Sequence, residues 1–463
     1  MKPKLDNQPT MTIEEEYIAT HPKSQELFRR ALKLIAGGVS HDARYIEPFP
    51  FYVAAANGSK QWDVDGNEYI DYQQGHESLI LGHGHPAVVA AITKQLSKGV
   101  NYGGCHELEI RLAELINEMV PCAERIRFSG SGGEANMLAV RLARAHTGKS
   151  KIIKFRGHWH GGFPEGFIAV ASPFDVPFSK GVTEATRGDI LLANHNSSDD
   201  VRRLIENNEV ACVLMEPLGA HTAVMPSRPG FLEEVRQITK EKGVILIFDE
   251  VLSGFRFAPG GLQEALGIIP DLATLGKGLG GGLPVSAVVG KKEILGQLDF
   301  TGDLRHDRYE RVRSQGSHSG LPLALAAAVA TLEILKTGEV YTRLNRLGAV
   351  LKKGMNEQIS QHNIPGCVWG RYGMVRYFLN HDCPQLGKCD FVDCDYPDHE
   401  KIDAGMEPSL KRNLLLALLL NGIRPVKLGW LVVSGAHTEQ DIEETVDAFG
   451  RVLMRLKREG ILK

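Results

Sequence analysis

The sequence predicts an α/β protein. It would have a mostly parallel central sheet with helices on both faces, and a smaller α+β domain built from the N- and C-terminal segments. Two observations predict this. From about residue 85, short apolar runs alternate with stretches of helical periodicity, as successive βαβ units require. From about residue 338 the elements become shorter and that alternation fades.

The elements follow in order. Residues 12–36 read as one polar, charged helix opening on Glu14-Glu15-Glu16. Gly37-Gly38 and the prolines at 48 and 50 mark a crossing loop. The stretch 62–71 reads as a hairpin turning at Asp65-Gly66. Helical periodicity covers 86–98, 107–119, 133–147 and 230–242. Strands are expected at Arg125–Phe128, Lys151–Phe155, Ile190–Ala193, Val210–Met215, Val244–Phe248, Leu272–Leu275 and Val285–Val289. A helix over 322–337 leads away from the sheet, and the chain closes on the amphipathic stretch Glu439–Glu459. The expected division is 1–84 (contributing to the small domain), 85–337 (the large domain) and 338–463 (the C-terminal part of the small domain).

The 463 residues are 43% hydrophobic and 24% charged, an ordinary mix for a globular core. A net charge of −3 leaves no electrostatic footprint for nucleic acid. No apolar run reaches transmembrane length, and Met1–Asn7 has no signal-peptide core. The expectation is a cytoplasmic protein with neither nucleic acid nor membrane as partner. Seven scattered cysteines do not make a disulfide framework. Cys383, Cys389 and Cys394, flanked by His381 and His399, have five and four intervening residues rather than paired CxxC spacing. No metal is expected.

Lys277 lies in Thr274-Leu275-Gly276-Lys277, after an apolar run and before three consecutive glycines. Burial at a strand end disfavours the ammonium form, and a lysine so placed can form a Schiff base. Asp249 follows another buried run, Val244–Phe248. In a parallel sheet both residues fall beyond the carboxyl ends of strands, where ligands bind. Together they suggest pyridoxal phosphate, which needs a lysine for its aldehyde and an acid for its ring nitrogen. Alone, Asp249 could equally cap a turn.

Other residues join them. Ser131, Gly132 and Gly133 sit between a strand and a helix, where free backbone amides bind phosphate. No Gly-Lys-Ser/Thr follows, so this is not a P-loop. Trp159 could stack on a flat ring or fill a core. Ser317, in Gly316-Ser317-His318-Ser319-Gly320, could begin a second anion site or act as an N-cap. Arg44 could bind an anionic group bidentately or form a surface ion pair.

Asp249-Glu250-Val251, Thr274-Leu275-Gly276-Lys277, Gly37-Gly38-Val39-Ser40, Trp62–Gly66, Leu81–Pro86, Arg141–Arg144 and Ala436-His437-Thr438 together resemble the class III (omega) aminotransferases of fold type I, in the flavour of the glutamate-1-semialdehyde aminomutases. The resemblance spans nearly the whole chain. It implies a homodimer with active sites at the interface. It implies Lys277 as the Schiff-base lysine and proton shuttle, Asp249 as partner of the ring nitrogen, and Ser131–Gly133 as the phosphate cradle. Trp159 would stack on the ring, Ser317 would reach the other subunit's phosphate, and Glu216 would lie near the cofactor. The chain departs from relatives at Gly133 and Ser317, where threonine is usual, and in the polar loop Gln73–Ser78, whose His76 is a substrate-binding candidate.

The function expected is therefore aminotransferase or aminomutase chemistry on a small amine or amino acid bearing an anionic group. The alternative is an ammonia-lyase acting on a β-hydroxy amine such as 1-hydroxy-2-aminoethylphosphonate. A nicotinamide dehydrogenase is disfavoured, because no GxGxxG opens an early strand–helix unit.

Overall fold

The computed structural model describes residues 11–219, 226–380, 405–427 and 429–462. The cluster of Cys383, Cys389 and Cys394 lies outside the described residues. Among the described residues, no group of histidines, cysteines and carboxylates is arranged to hold a metal, and no helix is long and apolar enough to cross a membrane.

The N-terminal stretch is two helices rather than one, Ile13–Thr20 and Pro22–Ala31. Pro22 lacks an N–H, so it fits a first helical turn but not a helix interior. Thr12 opens the first helix with a reciprocal cap: Glu15 N donates to Thr12 Oγ1, and Thr12 N donates to Glu15 Oε2 at 2.8 Å.

Three strands follow, β1 (Val53–Asn57), β2 (Lys60–Asp63) and β3 (Glu68–Asp71). β2 and β3 form the expected hairpin. The large sheet uses β4 (Arg125–Ser129), β5 (Lys151–Phe155), β6 (Ile190–Ala193), β7 (Val210–Met215), β8 (Ile245–Glu250), β9 (Leu272–Leu275) and β10 (Ser286–Gly290). Its order is β4-β10-β9-β8-β7-β5-β6. Every pair from β9 to β6 is parallel, whereas β10 runs antiparallel to both neighbours.

Side-chain alternation explains the two helical layers. Ile245 and Ile247 on β8, with Cys212 and Leu214 on β7, pack with Leu138, Leu142 and Ala143 of the helix Gly132–Thr147. Leu246 and Phe248, with Val213 and Met215, pack with Phe231, Val235 and Ile238 of the helix Phe231–Lys242 on the other face. Both faces are thus covered, and β7 and β8 are buried along their whole length.

The chain's ends meet. β11 (Gly366–Arg371), β12 (Met374–Leu379) and β14 (Trp430–Val432) form a three-stranded antiparallel sheet. β13 (Ile423–Arg424) pairs in parallel with β3, completing the sheet β1-β2-β3-β13. The long terminal helix Glu439–Arg458 carries a capping box at Thr438 and Asp441.

Candidate active site

A cleft of about 430 Å³ opens at the carboxyl ends of β5, β7, β8 and β9. It is lined by Lys277, Asp249, Ser131, Gly132, Gly133, Trp159 and Glu216, all singled out in the sequence, together with Asn136 and His160, which were not.

Asp249 gets its orientation from strand parity. It shares a face with Ile245 and Ile247, so it points at the helix Gly132–Thr147. There Asn136 Nδ2 donates to Asp249 Oδ2 at 2.8 Å, and His160 Nδ1 contacts the same oxygen at 2.7 Å. Val251 N (3.1 Å) and Thr274 Oγ1 (3.3 Å) donate to Oδ1. Thr274 is the cross-strand neighbour of Asp249 on β9, so the sheet register delivers it. Thr274 Oγ1 also donates to Asn136 Oδ1 at 2.7 Å, and Asn136 Nδ2 donates to His160 O at 2.9 Å. Asn136, His160 and Thr274 are each at most 1% exposed. Burial holds the His160 imidazole below its ordinary range, while the Asp249 carboxylate pulls the other way. A neutral ring keeps its proton on the nitrogen facing Asp249. The other nitrogen, Nε2, is buried with no partner among the described residues.

The turn Ser129–Gly133 is short because its packing leaves no room. A Cβ on Gly132 would lie 2.7 Å from Val251 Cγ1, and one on Gly161 would lie 2.6 Å from Gly133 Cα. Ser131 caps the helix by accepting from Glu134 N at 3.3 Å. Trp159 N donates to Glu216 Oε1 at 2.6 Å, and the Trp159 ring stands edge-on to Phe167 and Phe178. Below them Lys154 is fully buried, with Nζ donating to Gly166 O (2.9 Å) and Ile168 O (2.5 Å). Burial pushes its pKa down to about 7, against the pull of Glu216 and Asp249.

Lys277 is not stranded as expected. It is about 25% exposed, and its Nζ donates to Glu77 Oε2 at 2.5 Å. Glu77 belongs to the polar loop already noted as unusual.

Two other expectations fall elsewhere. Arg44 and His76 line a neighbouring cavity of about 510 Å³ together with Arg424 and Lys427, not the Lys277 cleft. Arg44 is exposed and donates to Ser40 Oγ at 3.0 Å. Burial pushes His76 down to about 4, against the pull of Glu77. The turn Gln73–Ser78 separates the two cavities: His76 faces one, and Ser78 lines the other. Ser317 is exposed and absent from the cleft of its own chain; its carbonyl accepts from Asn101 Nδ2 at 3.3 Å.

The residues fit pyridoxal phosphate. A glycine-lined helix start can take a phosphate. A lysine and a carboxylate held by four donors line the same cleft, and an indole stands beside them. Comparison with known proteins agrees. The sequence model of the class-III aminotransferases matches residues 42–382. The chain is 40% identical over 441 residues to a glutamate-1-semialdehyde 2,1-aminomutase of Syntrophomonas wolfei, covering 94% of this chain and 98% of that one. It is 38% identical to the enzyme of the same name from Methanothermobacter thermautotrophicus, over 94% of this chain and all of that one. Among solved structures, an omega-transaminase from Sphaerobacter thermophilus superposes with a TM-score of 0.85 at 30% identity, covering 94% of this chain and 98% of that one. The chain belongs to the class-III aminotransferases, a pyridoxal-phosphate-dependent enzyme family of fold type I.

Proposed function

We propose that this enzyme transfers, rearranges or releases the amino group of a small amine or amino acid that also bears an anionic group. The supporting observation is that Lys277, Asp249 and the glycine-lined helix start share one cleft, while a basic cavity adjoins it across the turn Gln73–Ser78. When bound, pyridoxal phosphate supplies an electron sink that makes a substrate C–H bond acidic. The chain's residues divide the remaining work. Lys277 holds the cofactor aldehyde and carries the proton. Asp249, fixed by Asn136, His160, Thr274 and the Val251 amide, keeps the pyridine nitrogen protonated. The amides of Ser131–Gly133 would hold the phosphate and Trp159 would cover the ring, while Glu216 fixes the Trp159 backbone. Arg44 and His76 receive the substrate's anionic end from the neighbouring cavity. Assembly as a homodimer would bring Ser317 to the partner's phosphate.

The test mixes cofactor-loaded protein with amino acids, amino-aldehydes and hydroxy-aminophosphonates, without a keto acceptor. Free ammonia, products and the cofactor absorbance are followed together. One stoichiometric conversion to the pyridoxamine form, reversed by a keto acid, identifies an aminotransferase. Isomerised substrate identifies an aminomutase, and continuous ammonia release with the cofactor absorbance retained identifies a lyase. Lys277→Ala is expected to lose the lysine-linked absorbance and turnover; normal turnover by this variant would overturn the reading.

A further inference from the structure

The loop Gln73–Ser78 is built at a conformational cost that neither the cofactor cradle nor the anion cavity explains. Gln74, Gly75, His76 and Glu77 all lie in the left-handed region, at φ of 47°, 62°, 58° and 60°. Three of the four carry a Cβ, which makes a consecutive run of this kind rare. Strain of this sort persists only where surrounding bonds impose it, and it gathers at functional sites. The bonds are present. Asp71 accepts from Gln73 N at 2.9 Å and Gln74 N at 3.1 Å, Glu77 N donates to Gln73 O at 2.7 Å, and the buried Arg256 guanidinium donates to Glu77 O. Their joint effect is to place a carboxylate that is only 5% exposed against Lys277 Nζ. Lys277 is itself left-handed, at φ 37°. Both ends of this contact therefore rest on backbone that L-residues avoid.

We propose that Glu77 is a second acid–base group of the active site, sharing a proton with Lys277 and delivering it to an oxygen leaving the substrate's β-carbon, so that the enzyme eliminates water and releases ammonia. This rests on the cofactor reading above. The balance closes. Lys277 takes the proton from the amine-bearing carbon. The β-C–O bond breaks, its electron pair leaves with oxygen, and the Glu77 proton completes a water molecule. The proton on Lys277 then returns to Glu77 across the 2.5 Å contact. The unsaturated amine left behind tautomerises and is hydrolysed by water to a carbonyl compound and ammonia. No oxidant, reductant or keto acceptor enters. A substrate of this class carries an amine, a hydroxyl on the adjacent carbon, and an anionic end for the basic cavity.

His76 adjoins Glu77 on its own turn, where His41 and Arg44 also act on His76; Arg256 and Arg376 act on Glu77 from other elements, and Glu216 acts on Arg376. Glu77 makes the direct contact with Lys277 Nζ that a proton transfer needs.

The test uses cofactor-loaded wild type, Glu77→Gln and Glu77→Asp, with isoserine and serine as probes. Without substrate, the pH titration of the lysine-linked absorbance reads the local charge. A carboxylate beside the cationic nitrogen favours its protonated form, so Glu77→Gln is expected to move the transition to lower pH by about 1 unit or more. With substrate, ammonia release is expected to fall by about 10²–10⁴-fold, the usual worth of a positioned acid. Exchange of the substrate's α-proton with deuterated solvent, which Lys277 performs, is expected to stay within about tenfold, since the lost effect belongs to the acid. Glu77→Asp keeps the charge and is expected to recover part of both signals; it carries the test if Glu77→Gln fails to retain cofactor. A merely structural ion pair would lower exchange and release together, overturning the proposal. So would the absence of ammonia from every probe. Neither result touches the cofactor reading, which fails only if Lys277→Ala keeps its lysine-linked absorbance and turnover.

Discussion

Asn136→Ala is the sharpest test of how this site is held. The substitution deletes three hydrogen bonds: to Asp249 Oδ2 at 2.8 Å, to His160 O at 2.9 Å and from Thr274 Oγ1 at 2.7 Å. The His160 carbonyl and the Thr274 hydroxyl then lose a buried partner, at about 1–3 kcal/mol per stranded group. The Thr274 hydroxyl can still turn to Asp249 Oδ1 at 3.3 Å, which leaves the His160 carbonyl as the stranded group and the total at about 1–3 kcal/mol. The lost bond to a charged acceptor is worth about 1.5–3 kcal/mol, or about 10- to 100-fold in cofactor affinity if Asp249 must be held to meet the ring. Urea denaturation of the apoprotein reads the first figure as a lower midpoint at unchanged slope. Equilibrium release of cofactor, followed by absorbance, reads the second. Lower stability with full cofactor affinity would refute the claim that Asn136 orients Asp249. No change in either would refute the buried network itself.

Three further outcomes follow from named contacts. Gly132→Ala pushes a methyl to within 2.7–2.8 Å of both Val251 methyls, an overpacking worth about 1–3 kcal/mol, and calorimetry is expected to show a lower transition and weaker cofactor retention; Gly104→Ala, with nothing within 4 Å, should match wild type. His437 is fully buried against Tyr72, and its Nδ1 accepts from Ser434 N at 3.0 Å, so burial pushes its pKa down to about 4 from 6.5. A depressed histidine leaves stability intact above the unfolded value and removes it as pH falls through the window from 6.5 to about 4; the loss is about 3 kcal/mol, and His437→Gln should flatten the pH dependence of the melting temperature there. Arg44→Ala should raise KM for the anionic substrate while leaving the cofactor absorbance unchanged; an unchanged KM would remove Arg44 from the site.

The sequence by itself determined the large sheet and pointed to most of the residues that line the cleft. Lys151–Phe155, Ile190–Ala193, Val210–Met215 and Leu272–Leu275 fold with the bounds their apolar runs give. Parallel strands buried on both faces leave continuous hydrophobic stretches that local pattern can read. Lys277, Asp249 and the Ser131–Gly133 turn were legible for the same reason, because each ends such a stretch. The split of the first helix at Pro22 had a local signal that a longer polar pattern hid. Three-dimensional neighbours had no such signal. Asn136 meets Asp249 across 113 residues through strand parity, and Thr274 meets it through register. Glu77 meets Lys277 across 200 residues because a left-handed turn, imposed by Asp71 and Arg256, aims it inward. The same turn sends His76 to a separate cavity, which Arg44 also lines. A one-dimensional pattern records which residues are apolar and where chains bend. Only the tertiary structure decides which carboxylate Lys277 faces, because that depends on two distant backbones held by bonds neither segment encodes alone.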